Sequence, residues 1–411
     1  MDRNDLKARV AVNVLIIADA YPAPDRNSAD FRLSRLLAAI AAEHNVYFVA
    51  VAERTQVDAL GNEDVSRYRK GLEAIGVTVV DGGVMQALRM RSYAAVAFEW
   101  FFVAERFIED VRSLQPAARV IVDSVDVVFN RLEAKARVTR LERDMSKAVE
   151  TRIAELAVYN SADLVIVVTD ADGAILHRAN PAIATFTMPN IHPLQEPVPI
   201  GDENRKRLIF VGSFVRPGGE TNSDAMVYFC GEILPRIVAA EPDVRLRIIG
   251  SSPGPEIAEL ASKHVEVIGF VRETKPYLET SAISIAPLRF GGGMKGKIGE
   301  AMSFGLPVAT TSTGIEGFGL EPNVDALVAD TPSEFADAVI RLLRDRDYLE
   351  RVRMSGYRFI RKHYSDSAVK ERVDNLFSRL DIFPIKRLAR APALLRKAKQ
   401  AWERHIGWRL R

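Results

Sequence analysis

Short apolar runs alternate with helical patterns through the first half of the chain. Residues 30–43 repeat apolar side chains at helical spacing, so they predict an amphipathic helix between two strands. The strand-like runs are continuously apolar, which is typical of parallel strands that helices cover on both faces. Six such runs fall in this half, at residues 12–18, 46–52, 77–80, 94–98, 119–123 and 164–168.

The alternation stops and then restarts in the second half. Residues 189–206 hold four prolines and end in polar residues, so they predict a linker. The pattern as a whole predicts an α/β protein with the two doubly wound, Rossmann-like domains facing each other across a cleft. The later strand-like runs lie at residues 207–212, 244–250, 265–269, 282–288, 306–311 and 325–330.

The predicted boundaries follow from these changes of pattern. An N-terminal domain covers residues 1–190, a linker 191–206 and a C-terminal domain 207–364. A helical pattern over 365–382 has the length to cross back to the N-terminal domain. A basic amphipathic tail occupies residues 383–411.

Composition, net charge and cysteine content narrow the possible class of protein only moderately. The 411 residues are 48% apolar with a formal net charge of +2, so bulk electrostatics give no reason to expect nucleic acid as a partner. The single cysteine, Cys230, excludes an intrachain disulfide and fits a reducing compartment. The apolar stretch at 10–18 is followed at once by Asp19, so we expect a buried strand there rather than a signal peptide. The expected location is therefore the cytoplasm.

The segment GGGMKGKIGE, residues 291–300, carries the main chemical signal. Its glycines at 291, 293 and 296 match G-x-G-x-x-G, and Glu316 follows twenty residues later, as in a dinucleotide-binding fingerprint. The match is weak because it falls late in the second predicted domain rather than in a first βαβ unit. It makes an NAD(P)-dependent oxidoreductase one alternative function.

A diphosphate site explains more of the same segment. The backbone of 291–293 would approach a diphosphate closely, and N–H groups at the start of a helix over 297–304 would add a favourable dipole. Lys295 or Lys297 would add charge, but two residues apart they cannot both face one ligand if both are helical. We therefore expect one lysine in the loop. The alternative is that both are solvated and the glycines make only a turn.

One carboxylate, Glu300, lies in an apolar part of this predicted helix. Its neighbours are Ile298, Gly299, Ala301 and Met302, and a carboxylate among them is costly without partners. Its two oxygens match a pair of adjacent hydroxyls, such as a ribose 2′,3′-diol. The alternative is an exposed helix position or an internal salt bridge.

Three longer stretches share a resemblance to one family. They are PLRFGGGMKGKIGEAMSFGLPVATTSTGIEG (287–317), FVGSFVRPGGETNSDAMVYFCGEILPRI (210–237) and AYPAPDRNSADFRLSRLL (20–37). The first resembles the donor-site motif of family 4 glycosyltransferases, which have the GT-B fold. The second is similar to the first strand, loop and helix of that family's donor domain, and the third to its acceptor-side loop and first helix. The resemblance covers about residues 10–375.

The resemblance implies a donor site for a nucleotide-diphosphate sugar. Glu300 would be the second glutamate of the family's E-x7-E motif and would hold the ribose. Cationic side chains and a closely approaching loop would contact the diphosphate. These residues are Arg216, Arg289, Lys295 or Lys297, Gly212, Ser213, Gly291, Gly292 and Gly293.

One position departs from the family's motif. Gly292 stands where the first glutamate belongs, and that glutamate usually contacts hydroxyls of the transferred sugar. Recognition of the sugar must therefore differ here. Glu316 is a candidate substitute, and the alternative is a simply solvated loop carboxylate.

Two acidic pairs also need an interpretation. Asp170 and Asp172 form a D-x-D, the metal motif of the other large glycosyltransferase fold, but Thr169 as an N-cap with acids in the first helical turn explains them without metal. Asp123 and Asp126 end a strand that faces the expected cleft. The resemblance makes Asp126 a catalytic candidate, and the alternative for this pair is a turn with a helix cap.

The loop PAPDRNSAD, residues 22–30, precedes the first predicted helix. Asp25, Arg26, Asn27 and Arg32 are candidates to position an acceptor hydroxyl, and a plain βα loop is the alternative. Of the six histidines, His192 in the linker is the most notable, although we expect it to be inert.

These features predict a metal-independent glycosyltransferase, and the resemblance implies that it retains the anomeric configuration. It would move a sugar from a nucleotide-diphosphate donor to a glycan or lipid-linked acceptor in the synthesis of a cell-surface polysaccharide or glycoconjugate. The candidate catalytic residues are Asp126, Arg216, Lys295 and Lys297, and no cofactor or metal is expected. Besides the oxidoreductase, a non-catalytic nucleotide-sugar-binding protein is an alternative, because Gly292 leaves the sugar contact incomplete.

The C-terminal tail has a pattern of its own. From Pro384 to Arg411 there are nine Lys or Arg residues and one acid, Glu403. Basic, amphipathic and tryptophan-bearing segments suit an in-plane membrane helix, so residues 384–411 predict contact with an anionic membrane surface. The alternatives are a helix packed on the protein's own surface and a disordered end. The apolar positions recur every fourth residue, at Leu394, Ala398, Trp402, Ile406 and Leu410.

Overall fold

The computed structural model describes residues 11–215, 220–291 and 294–386, and its first half forms a seven-stranded sheet. The strands are β1 Asn13–Ala18, β2 Asn45–Ala50, β3 Thr78–Val79, β4 Ala95–Glu99, β5 Arg119–Asp123, β6 Leu164–Val167 and β7 Thr185–Thr187. They are all parallel and lie in the order β3-β2-β1-β4-β5-β6-β7. The helices between them are α1 Ser28–Ala41, α2 Glu53–Leu60, α3 Asn62–Ala74, α4 Gly83–Met90, α5 Phe101–Leu114, α6 Val128–Thr139, α7 Glu142–Ser161 and α8 Asp170–Ala179.

The second half forms a six-stranded parallel sheet in the order β10-β9-β8-β11-β12-β13. Its strands are β8 Arg207–Val211, β9 Arg245–Ile249, β10 Val265–Gly269, β11 Ile283–Ala286, β12 Val308–Thr310 and β13 Leu327–Val328. Its helices are α9 Glu220–Tyr228 with a π-helical turn Phe229–Ile233, α10 Leu234–Ala240, α11 Pro255–Ala258, α12 Lys275–Leu278, α13 Gly296–Ser303, α14 Ser312–Ile315, α15 Pro332–Arg344, α16 Arg346–His363 and α17 Asp366–Ser378, which a 3-10 turn Leu380–Ile382 follows. None of the helices described here is long and apolar enough to cross a bilayer.

The apolar strands are buried on both faces, as their composition predicts. Leu15 and Ile17 of β1 join an apolar cluster with α5, whereas Val14 and Ile16 join a second cluster with α1 on the opposite face. The expectation of two Rossmann-like α/β domains is confirmed.

The strand order reverses once in each sheet. The first sheet grows outward from β1 and β4, and the second from β8 and β11. Open parallel sheets bind ligands outside the carboxyl ends of their strands at such a switch point. The loops that follow these strands are therefore the place to look for a site.

Local differences from the predicted elements have simple causes. Strand β7 was not predicted because its three residues, Thr-Phe-Thr, lack a continuous apolar run. Helices α15 and α16 are separate because Asp345 accepts a hydrogen bond from the Tyr348 amide as the N-cap of α16. The predicted helix over 297–304 begins one residue earlier, at Gly296.

The last helix packs on the first domain. Val369, Val373 and Leu376 of α17 belong to the same apolar cluster as the buried face of α1. Past the helix, the Lys386 amide donates to Asp163 Oδ1 at 2.6 Å. The chain therefore crosses from the second sheet back to the first before the described part ends.

Candidate functional site

A cavity of about 720 Å³ lies between the two sheets. Its walls come from the loop after β1, from the chain between the domains, and from the loops that follow β8, β9, β10 and β11. The second sheet thus contributes the carboxyl ends of four strands, as the switch-point rule predicts. The segments that line it include 24–28, 190–193, 211–213, 249–251, 270–275 and 294–297.

Two lysines at the start of α13 line this cavity. Lys295 is the N-cap residue, with φ −82° and ψ 91°, and Lys297 lies inside the helix. The expectation that one lysine lies in the loop is confirmed, and this difference in backbone lets both side chains reach one cavity. Lys297 Nζ donates to Asn222 Oδ1 at 2.8 Å, whereas Lys295 Nζ lies 4.0 Å from Glu316 Oε2.

Burial disfavours the charged form of both lysines in the absence of an anion. Lys295 is 7% exposed, and burial lowers its pKa although Glu316, Asp126 and Asp172 pull it upward. Burial and the charge of Lys295 lower the pKa of Lys297 to about 8. A bound anion would remove this penalty, because opposite charge favours the protonated amine.

Glu300 faces the same cavity one turn further along α13. Its Oε1 accepts a hydrogen bond from Thr274 Oγ1 at 2.6 Å. Burial raises the pKa of this carboxyl, while Thr274 and Lys297 oppose the rise. The alternative of an exposed helix position is wrong. One bond to Thr274 leaves acceptor capacity for a further donor.

The loop after β8 forms the wall opposite α13. Gly212 and Ser213 line the cavity, and the Ser213 carbonyl accepts from Asn222 Nδ2 at 2.5 Å. Asn222 therefore connects this loop to Lys297, to which its Oδ1 is bonded. Gly291 lines the cavity at the end of the β11 loop. Arg216, Gly292 and Gly293, which were predicted to contact the donor, lie outside the described residues.

The acceptor-side loop contributes three predicted residues to the cavity, Asp25, Arg26 and Asn27. Each already has a partner. Asp25 accepts from Tyr68 Oη at 2.7 Å, Asn27 caps α1 through the Asp30 amide, and Arg26 stacks over the Phe270 ring at 4.3 Å from its centroid. The loop is thus braced internally, and Arg26 connects it to the second domain.

The role predicted for Arg32 needs a correction. It was predicted to position an acceptor, but it is 1% exposed and lies outside the cavity wall. Its Nη1 donates to Asp123 Oδ2 at 2.6 Å and its Nη2 to the Met188 carbonyl at 2.7 Å. The spacing of α1 turns Arg32 inward, where Asp123 compensates its charge. Its role here is structural, and Asp123 likewise does not face the cleft.

Arg289 also lies away from the cavity wall. It was predicted to hold the diphosphate, but its Nε donates to Asp224 Oδ2 at 2.9 Å and its guanidinium stacks over Tyr228. Arg289 follows β11 in the chain, but its side chain points along α9, where it contacts the Asp224 carboxylate and the Tyr228 ring. This conformation gives it no contact with the cavity.

Asp126 and Glu316 lie beside the cavity, close to Lys295. Asp126 Oδ2 accepts from Arg131 Nε at 2.6 Å, and Arg131 itself lines the cavity. Among the described residues, Asp126 Oδ1 is buried without a hydrogen-bond partner. Glu316 is exposed at the rim. Both carboxylates partly oppose the lowering of the Lys295 pKa by burial.

The D-x-D residues begin a helix, as the cap interpretation predicts. Thr169 is the N-cap of α8 and accepts from the Asp172 amide at 3.0 Å, so that interpretation is confirmed. Asp170 accepts a hydrogen bond from Thr187, and burial raises the pKa of Asp172 to about 6. In the described part of the chain, no group of three or more His, Cys, Asp or Glu residues is arranged to hold a metal ion. Metal independence stays a prediction.

Two glycines of α13 permit the close approach of the two domains. A Cβ on Gly296 would lie 2.5 Å from Ser28 Cβ of α1, and a Cβ on Gly299 would lie 2.1 Å from His192 Nε2. His192 is 5% exposed and lines the cavity, and burial lowers its pKa to about 3, so the ring is neutral. The third glycine of the G-x-G-x-x-G match is therefore a contact between domains.

Sequence reasoning missed several residues of the cavity. Thr274, Phe270 and Ser251 lie in loops after predicted strands, so the switch-point rule had a signal for them. Asn190 and Arg131 had none, because only the tertiary structure brings the linker and α6 to the cleft. Asn190 Nδ2 donates to the Met294 carbonyl at 3.3 Å, which connects the linker to the β11 loop.

Comparison with protein families gives one match. Residues 205–345, which hold all six strands of the second sheet, match the model of the glycosyl transferases group 1 family. A protein of Klebsiella pneumoniae, described as an uncharacterized 44.6 kDa protein in the cps region, is 23% identical over 178 residues. That match spans 41% of this chain and 45% of the relative, so it covers less than half of the relative's length.

Solved structures share the whole architecture at low sequence identity. Sucrose-phosphate synthase from Thermosynechococcus elongatus has a TM-score of 0.66 and 15% identity, covering 90% of this chain and 99% of that one. HepE from Anabaena, solved with UDP and glucose, has a TM-score of 0.65 and 12% identity, covering 89% and 99%. TarM of S. aureus has a TM-score of 0.56 and 17% identity, covering 71% and 58%. Identities this low establish the fold, and together with the family match they support a glycosyltransferase of the GT-B type.

Proposed function

We propose that this protein is a family 4 type glycosyltransferase that uses a nucleotide-diphosphate sugar. The observation that carries the proposal is the wall formed by Lys295, Lys297 and Glu300 in one interdomain cavity. Two buried ammonium groups call for an anion of more than one charge, and a carboxylate one turn away calls for hydroxyl donors. A nucleoside diphosphate offers both, since it carries two phosphates and a ribose diol.

The reaction would be a displacement assisted by charge. The bond between the anomeric carbon and the leaving diphosphate oxygen breaks, and the acceptor oxygen bonds to the same face of that carbon. Because the new bond forms on the face from which the diphosphate leaves, the sugar keeps its anomeric configuration. The acceptor's proton passes to the leaving diphosphate, so no protein base is required. Lys295, Lys297 and the α13 N-terminus would stabilise the charge that develops on the diphosphate. Cleft closure would exclude water from the donor.

Recognition of the transferred sugar would involve residues around Lys295. Glu316 and Asp126 both lie near its ammonium group, and Asp126 Oδ1 is a buried oxygen without a partner among the described residues. A carboxylate at this position can accept a hydrogen bond from a sugar hydroxyl. We propose that Glu316 or Asp126 supplies the contact that Gly292 cannot make.

The acceptor would enter between the loop at 24–28 and the second domain, where Asp25, Arg26 and Asn27 line the cavity. A glycan or lipid-linked acceptor in cell-surface polysaccharide synthesis is the proposed class. Support comes from the Klebsiella pneumoniae relative, which is described as a protein in the cps region. The corresponding location is the cytoplasm or the inner face of the cytoplasmic membrane. The tail contact predicted for 384–411 would favour the membrane face, although residues 387–411 lie outside the described part.

The test is a ligand and donor screen on the purified full-length chain. Calorimetry is expected to detect binding of UDP or GDP, and slow hydrolysis of one matching nucleotide sugar is expected without an acceptor. Binding of NAD or NADP with no affinity for nucleoside diphosphates would favour the oxidoreductase instead. Binding of a nucleotide sugar with no hydrolysis and no transfer to any supplied acceptor would favour the non-catalytic alternative.

A further inference from the structure

Helix α7 carries a row of exposed apolar side chains on the first domain. Leu141, just before the helix, is 41% exposed, and Met145, Val149 and Ile153 are 58%, 58% and 53% exposed. Val138 at the end of α6, 42% exposed, extends the row. We call these five residues the α7 stripe. No other described part of the chain covers the stripe, and contiguous apolar surface of this kind marks an interaction site.

The spacing makes the stripe one continuous surface. Residues four apart on a helix differ by about 40° in direction, so Met145, Val149 and Ile153 stay within one side of α7. Buried side chains of the same helix, such as Ala148 and Thr151, point to the core. The stripe is therefore the solvent side of a two-sided helix.

The charges near the stripe favour an anionic partner. Arg137, Arg140, Arg143 and Lys147 are all exposed on the same helical hairpin. The exposed carboxylates beside them are Glu142 and Glu150. An exposed apolar row with an excess of Arg and Lys around it is the composition of a helix that lies in a membrane interface.

The described chain ends next to the same helix. Lys386 Nζ donates to the Asn160 carbonyl at 3.2 Å, at the C-terminal end of α7. The described chain therefore ends beside the C-terminal end of α7, and the sequence beyond it holds eight further Lys or Arg residues over 387–411.

We propose that the α7 stripe docks in the plane of an anionic lipid surface. The occupant is lipid rather than a second copy of the chain, because the cations of the hairpin and of the tail would repel their own copies. The same geometry brings the cavity close to the lipid, since Arg131 at the cavity is only about 10 Å of helix rise from Val138 on α6. That consequence for an acceptor depends on the proposed function, whereas the docking itself does not.

The experiment measures flotation of the full-length protein with vesicles, without any donor or acceptor. One vesicle type contains phosphatidylcholine and phosphatidylglycerol in equal amounts, and the other phosphatidylcholine alone. The test variant is Met145→Ser with Val149→Ser. The matched control is Met90→Ser with Val227→Ser, two side chains that are 44% and 46% exposed on other surfaces. All four positions are exposed, so the fold is expected to survive, and thermal unfolding checks this.

We expect the wild type and the control variant to float with anionic vesicles, and the stripe variant to bind at least ~10-fold more weakly. No flotation of the wild type, or equal flotation of the stripe variant, would overturn the proposal. Light scattering that detects a dimer lost only in the stripe variant would identify a second copy as the occupant, and that result also contradicts docking on lipid.

Discussion

At the scale of residues, the cavity is costly in its unliganded form. Lys295 and Lys297 are buried near each other, and both have lowered pKa values because burial penalises the charged amine. Folding therefore releases protons from these groups. For Lys297 the unfolded value is 10.5 and the folded value about 8, so stability without ligand rises with pH between these values and is reduced below them.

A first prediction uses this shift. A diphosphate beside Lys297 should raise the amine's pKa, so binding of UDP or GDP should take up protons between about pH 8 and 10. Calorimetry at pH 8.5 in two buffers of different ionisation enthalpy measures the uptake. The Lys297→Gln variant should bind UDP or GDP more weakly and lose most of the proton uptake. Identical apparent enthalpies in both buffers for the wild type would contradict the assignment.

A second prediction concerns Glu300. Glu300→Gln keeps the shape and the bond to Thr274 but removes the anionic acceptor, so donor kcat/KM should fall roughly 100-fold while the thermal midpoint changes little. Steady-state kinetics with varied donor measure the effect. Glu273→Gln, an exposed carboxyl at the same cavity, is the control and should be near wild type. Unchanged donor kinetics in the Glu300→Gln variant would show that Glu300 does not belong to the donor site.

At the scale of elements, helix α13 works as a joint between the domains. Its first turn approaches Ser28 of α1, and its second approaches His192 of the linker, in both cases through glycine. The same helix positions Lys297 and Glu300. Any displacement of α13 from the first domain should therefore also disturb the donor wall.

A third prediction tests this joint. Gly299→Ala would place a methyl group 2.1 Å from His192 Nε2, so we expect a loss of about 1–3 kcal/mol in stability. Weaker binding of UDP or GDP should accompany it. His192→Ala in the same chain opens the space and should restore both. Thermal unfolding and calorimetry on the double-mutant cycle measure the coupling.

The control for this cycle is Gly71→Ala in α3. A Cβ on Gly71 meets nothing within 4 Å, so alanine there should leave stability unchanged or slightly higher. Additive effects of Gly299→Ala and His192→Ala would mean that the two residues do not form the joint.

At the scale of the whole molecule, several contacts hold the domains together around the cavity. Arg26 stacks on Phe270 across the cleft, and Arg272 lies 3.3 Å from Asp64. Helix α17 adds a third connection on the first domain. The first two contacts involve charged side chains at the rim, where water screens them. The third is apolar, since α17 packs on the first domain through Val369, Val373 and Leu376.

The fourth prediction belongs to this scale, because it concerns the activity of the assembled cleft. Full transferase activity is expected in EDTA, since Asp170 and Asp172 are used at the start of α8 and the diphosphate charge is matched by lysines. Turnover after chelation and dialysis measures this. Loss of activity in EDTA with recovery on adding Mn²⁺ would contradict the prediction.

Much of the fold could be predicted because it depends on local pattern. The continuous apolar runs of β1, β5 and β8 must be covered on both faces, and parallel sheets with helices between strands are the solution. The motif around Lys295 and Glu300 was visible because backbone geometry ties the end of a strand to the start of a helix. The same local rule predicted the Thr169 cap.

Other features depended on the tertiary structure. Arg32 and Arg289 have sequence positions that suit a site, yet each found a carboxylate elsewhere, at Asp123 and Asp224. Partners 91 and 65 residues away cannot be read from local spacing. The roles of Asn190 and His192 also arise only when the linker meets α13.

The sequence by itself thus determined the two parallel sheets, the strand ends at which a ligand can bind, and the candidate groups at the start of α13, because periodicity and chain connectivity are local properties. Only the tertiary structure decided which cations line the cavity, how the glycines of α13 fit against Ser28 and His192, and that the α7 stripe is left exposed. These outcomes depend on competition between partners distant in sequence, and packing in three dimensions decides that competition.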